Sequence, residues 1–245
     1  MARDRVRSIH RFARFAPLFV LLAQTRAGGA SGPLGSANGT DSTPAARYAA
    51  LDASSCAVEL HARAIPFAPV DAARGVLAPI RLTGPIRGVS FHSGLAAHVR
   101  GSSPYEIVDC RLALALDDFA RVLAHHGITE VVHLSMYRPP PRGWPGATPA
   151  TRHGGGLAID AARFIKSDGS VLDVDRDFAG RIGDPTCGPS AIQPRTVPSA
   201  ELRSIVCEAA EEHLFQVELT PDYNRPHKNH FHLEVTPKVR WFFVR

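Results

Sequence analysis

Two periods of hydrophobic and polar positions run along this chain. Over residues 106–126, EIVDCRLALALDDFARVLAHH, the apolar residues Ile107, Leu112, Leu114, Leu116, Phe119, Val122 and Leu123 recur at a helical period. This predicts a helix, with Gly127 placed to stop it. A second helix is predicted over 199–215, SAELRSIVCEAAEEHLF. Ser199 is its candidate N-cap, and Leu202, Ile205, Val206, Ala209 and Leu214 form one face. Residues 128–138, ITEVVHLSMYR, are rich in β-branched positions and read as a strand, as does the apolar run 154–164, GGGLAIDAARF. HFHLEV, 230–235, alternates strictly: His230, His232 and Glu234 share one face, and Phe231, Leu233 and Val235 the other.

Between these elements the chain is rich in Pro and Gly. Residues 139–152, PPPRGWPGATPATR, cannot be regular structure, and a second loop covers 180–198. Loops of this length in a compact domain are often functional. Residues 57–91 contain short apolar runs broken by Pro and Gly, expected as short strands and loops. Residues 31–46 are small and polar and read as a linker, so folding is expected to begin near Arg47. No internal repeat is visible. The expected fold is α+β, one domain over 47–245, with a small antiparallel sheet, two main helices and long Pro/Gly-rich loops.

Composition changes this picture mainly at the N-terminus. The chain has 245 residues, 44% hydrophobic and 21% charged, with twenty Gly and twenty Pro, an ordinary globular balance tilted towards turns. It begins with Arg3, Arg5, Arg7, Arg11 and Arg14, then a short apolar stretch from Phe15 to Ala23, then small residues Ala27–Ser31. That order is the grammar of a secretory signal peptide over 1–30, so an exported protein is expected, periplasmic or extracellular. No apolar run reaches the roughly 18 residues of a membrane span. The formal charge of +5 lies wholly in residues 1–30, and the remainder balances at 22 basic and 22 acidic residues. Nothing therefore points to a nucleic-acid partner. A monomer is expected.

Four cysteines, Cys56, Cys110, Cys187 and Cys207, fit an exported chain with two disulfides. Three pairings are possible. Cys56–Cys110 with Cys187–Cys207 is the expectation, because each bridge then closes a local loop.

RPHKNHFHLEV, residues 225–235, places His227, His230 and His232 within six positions. Residues i and i+2 of a strand lie about 6.5–7 Å apart, too far to share one hydrogen bond. The spacing suits one histidine as a metal ligand and the other as a group acting beside the same metal. Further ligands are available in TRHGGGLAID, from His153 and Asp160. The three glycines between them allow a sharp turn and close approach. An aspartate inside an apolar strand needs a compensating charge or hydrogen bonds, and a metal supplies it.

DCRLALAL, HGGGLAIDAARF, the following DGS and PDYNRPHKNHFHLEV together resemble the extensin-like C-terminal domain of bacterial proteins, while SMYR (135–138), HGGGLAID and HFH carry a wider resemblance. More distantly they are similar to the zinc peptidases of bacterial cell-wall peptides, the superfamily of D-Ala-D-Ala carboxypeptidases, murein endopeptidases and the hedgehog zinc domain. The resemblance covers about residues 50–245 and is strongest at the two histidine motifs. It implies a hedgehog/D-Ala-D-Ala-peptidase-like fold and a zinc ion held by His153, Asp160 and His232. It also implies His230 and His227 as catalytic groups, and Arg138 as the arginine that faces a substrate carboxylate; a structural ion pair is the competing role for Arg138. Two positions depart from the peptidases. Asn229 stands where a proton-accepting glutamate is usual, so His230 must be the leading base with His227 assisting. Thr151 stands where serine is usual and keeps a hydroxyl.

The function expected from this is a zinc-dependent hydrolase acting on peptidoglycan peptides. His230 would take a proton from the attacking water, and a protonated His227 would join the zinc in stabilising the oxyanion. The loops 139–152 and 180–198 would wall the cleft, with Trp144 and Tyr223 either touching substrate or packing. The competing expectation is a non-catalytic module that binds peptidoglycan or another cell-wall polymer and retains the pocket. A structural zinc is a third.

Overall fold

The computed structural model describes residues 43–146 and 148–245. The chain divides into Met1–Gly35 and Ser36–Arg245, and the described residues all belong to the second unit. The expected signal peptide and residues 31–42 of the linker lie outside them. The helices are α1 (Pro44–Ala49), α2 (Ala53–Ala62), α3 (Ala97–Arg100), α4 (Cys110–His125), α5 (Val174–Asp177) and α6 (Val197–Glu211). The strands are β1 (Phe67–Pro69), β2 (Pro79–Leu82), β3 (Ser90–Ser93), β4 (Ile107–Asp109) and β5 (Ile128–His133). They continue with β6 (Ala158–Lys166), β7 (Val171–Asp173), β8 (Val217–Leu219), β9 (Phe231–Glu234) and β10 (Phe243–Val244).

The α+β expectation with two main helices holds. The sheet is larger and more mixed than expected: seven strands run β10-β8-β9-β6-β5-β3, with β7 paired to β6. The central pairs are antiparallel, but β3–β5 and β10–β8 are parallel. The β3–β5 pair is parallel because α4 carries the chain back across the core between them. A second sheet, β1-β2-β4, lies outside it.

Several boundaries move for local reasons. Residues 44–46, read as the end of the linker, belong to α1, because Thr43 caps it and Ala45 is buried with its N–H donated to the His213 carbonyl. Residues 57–62, expected as strand or loop, finish helix α2, which Asp52 caps by accepting from the Ser55 N–H. The first long helix begins at Cys110 instead of 106, since Ile107–Asp109 pairs with β2 and Asp109 accepts the Arg111 N–H as N-cap. The second is capped by Thr196 rather than Ser199, whose N–H is the donor. It ends at Glu211. Residues 154–157 form the end of a 3-10 turn, Arg152–Gly155, and its cap, so that strand starts at Ala158.

Helix α4 is the centre of the core. It packs against α1, α2, α6 and β5, so Leu112, Ala113, Leu114, Ala115 and Leu116 are all fully buried. Burying each leucine contributes about 1.5–3 kcal/mol. Its one deeply buried carboxylate away from the cap, Asp117, is held by Arg63 and Arg87. The disulfide Cys56–Cys110 ties α2 to the first turn of α4, and Cys187–Cys207 ties the 180–198 loop to α6. Both are the expected pairs. Phe231 on β9 packs on Phe164 and Phe178, so the apolar face of HFHLEV meets the core as its alternation requires.

Candidate metal centre

The histidine face of β9 lies against β6. Asp160 and His232 are direct cross-strand partners. His153 joins them from the 3-10 turn that precedes β6. The glycines make that turn possible. Gly156 has φ +64°, the left-handed region, and a Cβ there would lie 2.9 Å from the Asp109 nitrogen. A Cβ on Gly155 would lie 2.2 Å from the Ala150 carbonyl oxygen. The Asp109 N–H donates to the Gly156 carbonyl at 2.9 Å, so the start of α4, beside the Cys56–Cys110 bridge, buttresses the turn.

Three ligand-type atoms converge. Asp160 Oδ1 is 3.0 Å from His153 Nε2 and 2.9 Å from His232 Nδ1, and the two nitrogens are 3.2 Å apart. All three residues are buried. A tetrahedral zinc with bonds of about 2.0–2.1 Å separates its ligand atoms by about 3.3 Å. The set is thus within a few tenths of an ångström of the spacing such an ion requires.

The outer partners decide which nitrogens carry protons. His153 Nδ1 faces the Met136 carbonyl at 3.1 Å, and His232 Nε2 faces Glu234 Oε2 at 3.2 Å. His230 Nδ1 faces Asn229 Oδ1 at 2.8 Å, and His227 Nδ1 faces Asn224 Oδ1 at 2.6 Å. Each of these oxygens can only accept, so the facing nitrogen donates. In the neutral ring the other nitrogen is then a bare lone pair. His153 and His232 turn their inner nitrogens onto Asp160 Oδ1, and His230 Nε2 lies 3.3 Å from the same oxygen. Each inner nitrogen meets that oxygen through a shared proton, and a cation among them would take the place of those protons.

The electrostatics agree. Burial pushes the Asp160 carboxyl up, yet hydrogen bonds from His153 and His232 and the nearby imidazoles hold it well below the usual carboxylate range. For His232, burial disfavours the charged form, but the hydrogen bonds to Asp160 and Glu234 outweigh it and raise the pKa. Burial, with the neighbouring imidazoles, lowers His230. Burial and then the charges of His230 and His232 lower His227 to about 4. His227 is therefore uncharged at neutral pH and does not supply the resident positive charge expected of it. Its ring lies 5.2 Å from that of His230 and 5.7 Å from that of His232, centroid to centroid.

Arg138 Nη2 is 3.2 Å from Asp160 Oδ2, with its side chain 56% exposed. It makes the ion pair and keeps donors facing solvent. Tyr223 packs edge-on to His227, with 5.5 Å between centroids. Trp144 instead donates to the Thr148 carbonyl and closes its own loop. The 180–198 loop is tied to the turn before His227: Thr186 and Arg203 both bond Asp222. A cavity of about 670 Å³ opens elsewhere, between α1, Thr151 and residues 237–240, and does not include the cluster.

Sequence reasoning missed the outer acceptors Asn224 and Met136, and Arg152, whose Nε lies 3.6 Å from Glu234 Oε2. Glu234 was legible in principle, being on the histidine face by period. A backbone carbonyl such as that of Met136 has no signal in sequence.

This arrangement coincides with a recognised family. The model of the extensin-like protein C-terminus matches residues 56–245, and the chain belongs to that family. No curated protein and no solved structure matches it. Among the described residues no helix is long and apolar enough to cross a membrane.

Proposed function

We propose that this protein is an exported zinc-dependent peptidase acting on bacterial cell-wall peptides. One observation carries the reading: outward acceptors engage the outer nitrogens of His153 and His232, so the inner nitrogens, which both meet on Asp160 Oδ1, are the ones an ion would take once their shared proton leaves. Two imidazoles and a carboxylate are a common donor set of catalytic zinc, which leaves a fourth position open. When bound, zinc supplies Lewis acidity and acidifies a water to a pKa of about 7. The signal-peptide grammar and the two disulfides favour export. The peptide substrate rests on the resemblance of the histidine motifs to the cell-wall peptidases.

The chain's own groups have separable roles. His153, Asp160 and His232 hold the ion. His230 offers Nε2 as the proton acceptor for the attacking water, its Nδ1–H anchored on Asn229. His227, neutral and anchored on Asn224, relays that proton towards the leaving amine. Arg138 directs its exposed donors at a substrate carboxylate. Burial of the ligands strengthens each of these interactions.

Metal content of the purified protein, followed by digestion of purified peptidoglycan, tests this. About one zinc per chain, lost in His153→Ala and His232→Ala, together with cleavage that stops in His230→Ala while zinc remains, is the expected result. Asn229 in the place of a glutamate favours one competing reading, a binding module that keeps the metal. Zinc with wall binding and no turnover would select it, and a chain that takes up no zinc would sink both.

A further inference from the structure

A groove of about 420 Å³ includes in its lining Asn229, the residue bonded to His230. Its lining includes Arg163, Asp173, His133 and Tyr105. Arg163 on β6 and Asp173 on β7 are direct cross-strand partners. Opposite charges so placed would ordinarily pair across the strands. Here no ion pair joins them, and among the described residues the Arg163 guanidinium has no hydrogen-bond or ion-pair partner. Asp173 commits only Oδ1, which accepts the Asp175 N–H. The Asp175 carboxylate is itself taken by Lys228.

His133 backs the groove. Its side chain is fully buried in the groove's wall, with Nε2 turned to Glu106, 3.5 Å from its Oε2. The groove therefore holds a planar cation and a carboxylate oxygen without protein partners among the described residues, with Tyr105 40% exposed at its side.

We infer that this groove is a binding subsite for a zwitterionic amino-acid group, one carbon bearing both an ammonium and a carboxylate. Arg163 receives the carboxylate through paired N–H donors, and Asp173 receives the ammonium. The ligand's two charges would then pair with the two protein charges that do not pair with each other. The inference rests on the reading of the neighbouring site as a peptide cleft, and it adds which end or branch of the peptide lies next to the metal.

Binding of Nε-acetyl-lysine, which presents such a group and no other charge, is measured by titration calorimetry with the chain stripped of metal by chelator. The diacetylated acid, which keeps only the carboxylate, and the Nε-acetyl-lysine amide, which keeps only the ammonium, are the comparison probes. Nε-acetyl-lysine should bind at least about tenfold tighter than either, and Arg163→Gln and Asp173→Asn should each remove about tenfold. Asparagine preserves the capping acceptor of α5, and thermal melts of both variants verify the fold. Equal binding of the three probes, no binding at about 10 mM, or undiminished binding by two folded variants would each overturn the subsite. Because the metal is absent throughout, the groove can fail while the zinc reading stands, and the reverse.

Discussion

Asp160 and His232 face each other directly across β6 and β9, and 2.9 Å separates Asp160 Oδ1 from His232 Nδ1. The opposite nitrogen of His232 is held by Glu234, two residues along the same face. The ligand and its support thus come from one strand, and the register of a single strand pair delivers them to the carboxylate. Removing the support without the ligand separates the two contributions. Glu234→Gln keeps a group that can accept the Nε2–H but removes its charge. It is expected to weaken zinc affinity about 10- to 100-fold while leaving the fold intact. Competition with a zinc chelator of known affinity measures this, and unchanged affinity would mean that Glu234 only packs.

The turn that presents His153 depends on the absence of a side chain. Gly155→Ala sets a Cβ 2.2 Å from the Ala150 carbonyl oxygen, where neither backbone can yield cheaply. A loss of about 1–3 kcal/mol in stability is expected, together with loss of metal. Gly143→Ala, in open space within the preceding loop, should change neither. Urea melts and metal analysis of the two variants make the comparison.

His227 sets a pH dependence. Unfolded, its imidazole takes a proton near pH 6.5; folded, burial and the adjacent imidazoles lower this to about 4. Between those values the unfolded chain binds more protons, so stability falls as pH drops through that window. The contribution is complete above about pH 6.5 and lost by about pH 4. His227→Gln should flatten this part of the profile in the metal-free protein. Thermal melts at half-unit steps test it, and an unaltered slope would refute the assignment.

The disulfides should differ in worth. Cys56–Cys110 spans 54 residues of sequence and Cys187–Cys207 spans 20. In the chain-entropy picture these stabilise by about 4 and about 3 kcal/mol. The double serine variant of the first pair should unfold at lower denaturant. It should also bind metal less tightly, since Cys110 follows the Asp109 that bonds Gly156. The second pair should leave metal affinity nearly unchanged and loosen the segment leading to His227, read as faster amide exchange there.

Local pattern carried much of this protein. The strict alternation of HFHLEV placed His232 and Glu234 on one side of a strand and Phe231 on the other, because strand geometry admits no other arrangement. HGGGLAID announced a tight turn followed by a buried carboxylate, because only glycine fits the turn and only a partner tolerates the charge. Both long helices were legible from their apolar period. Their starts were not, because Asp109 and Thr196 act as caps only once the backbone before them has paired or turned. Helix α2 was hidden by the prolines downstream of it, and the parallel pairing of β3 with β5 by the length of chain between them.

By itself the sequence determined which side chains could share a face and which turn could bring His153 close, since those follow from periods of 2 and 3.6 and from the freedom of glycine. Only the tertiary structure decided that Asp160 meets His232, that Met136, Asn224 and Asn229 orient the imidazoles, and that Arg163 and Asp173 stay unpaired beside each other. Those relationships join residues distant in sequence or enlist backbone atoms common to every residue. They arise from strand register and packing, which minimise the free energy of the whole chain rather than of any segment.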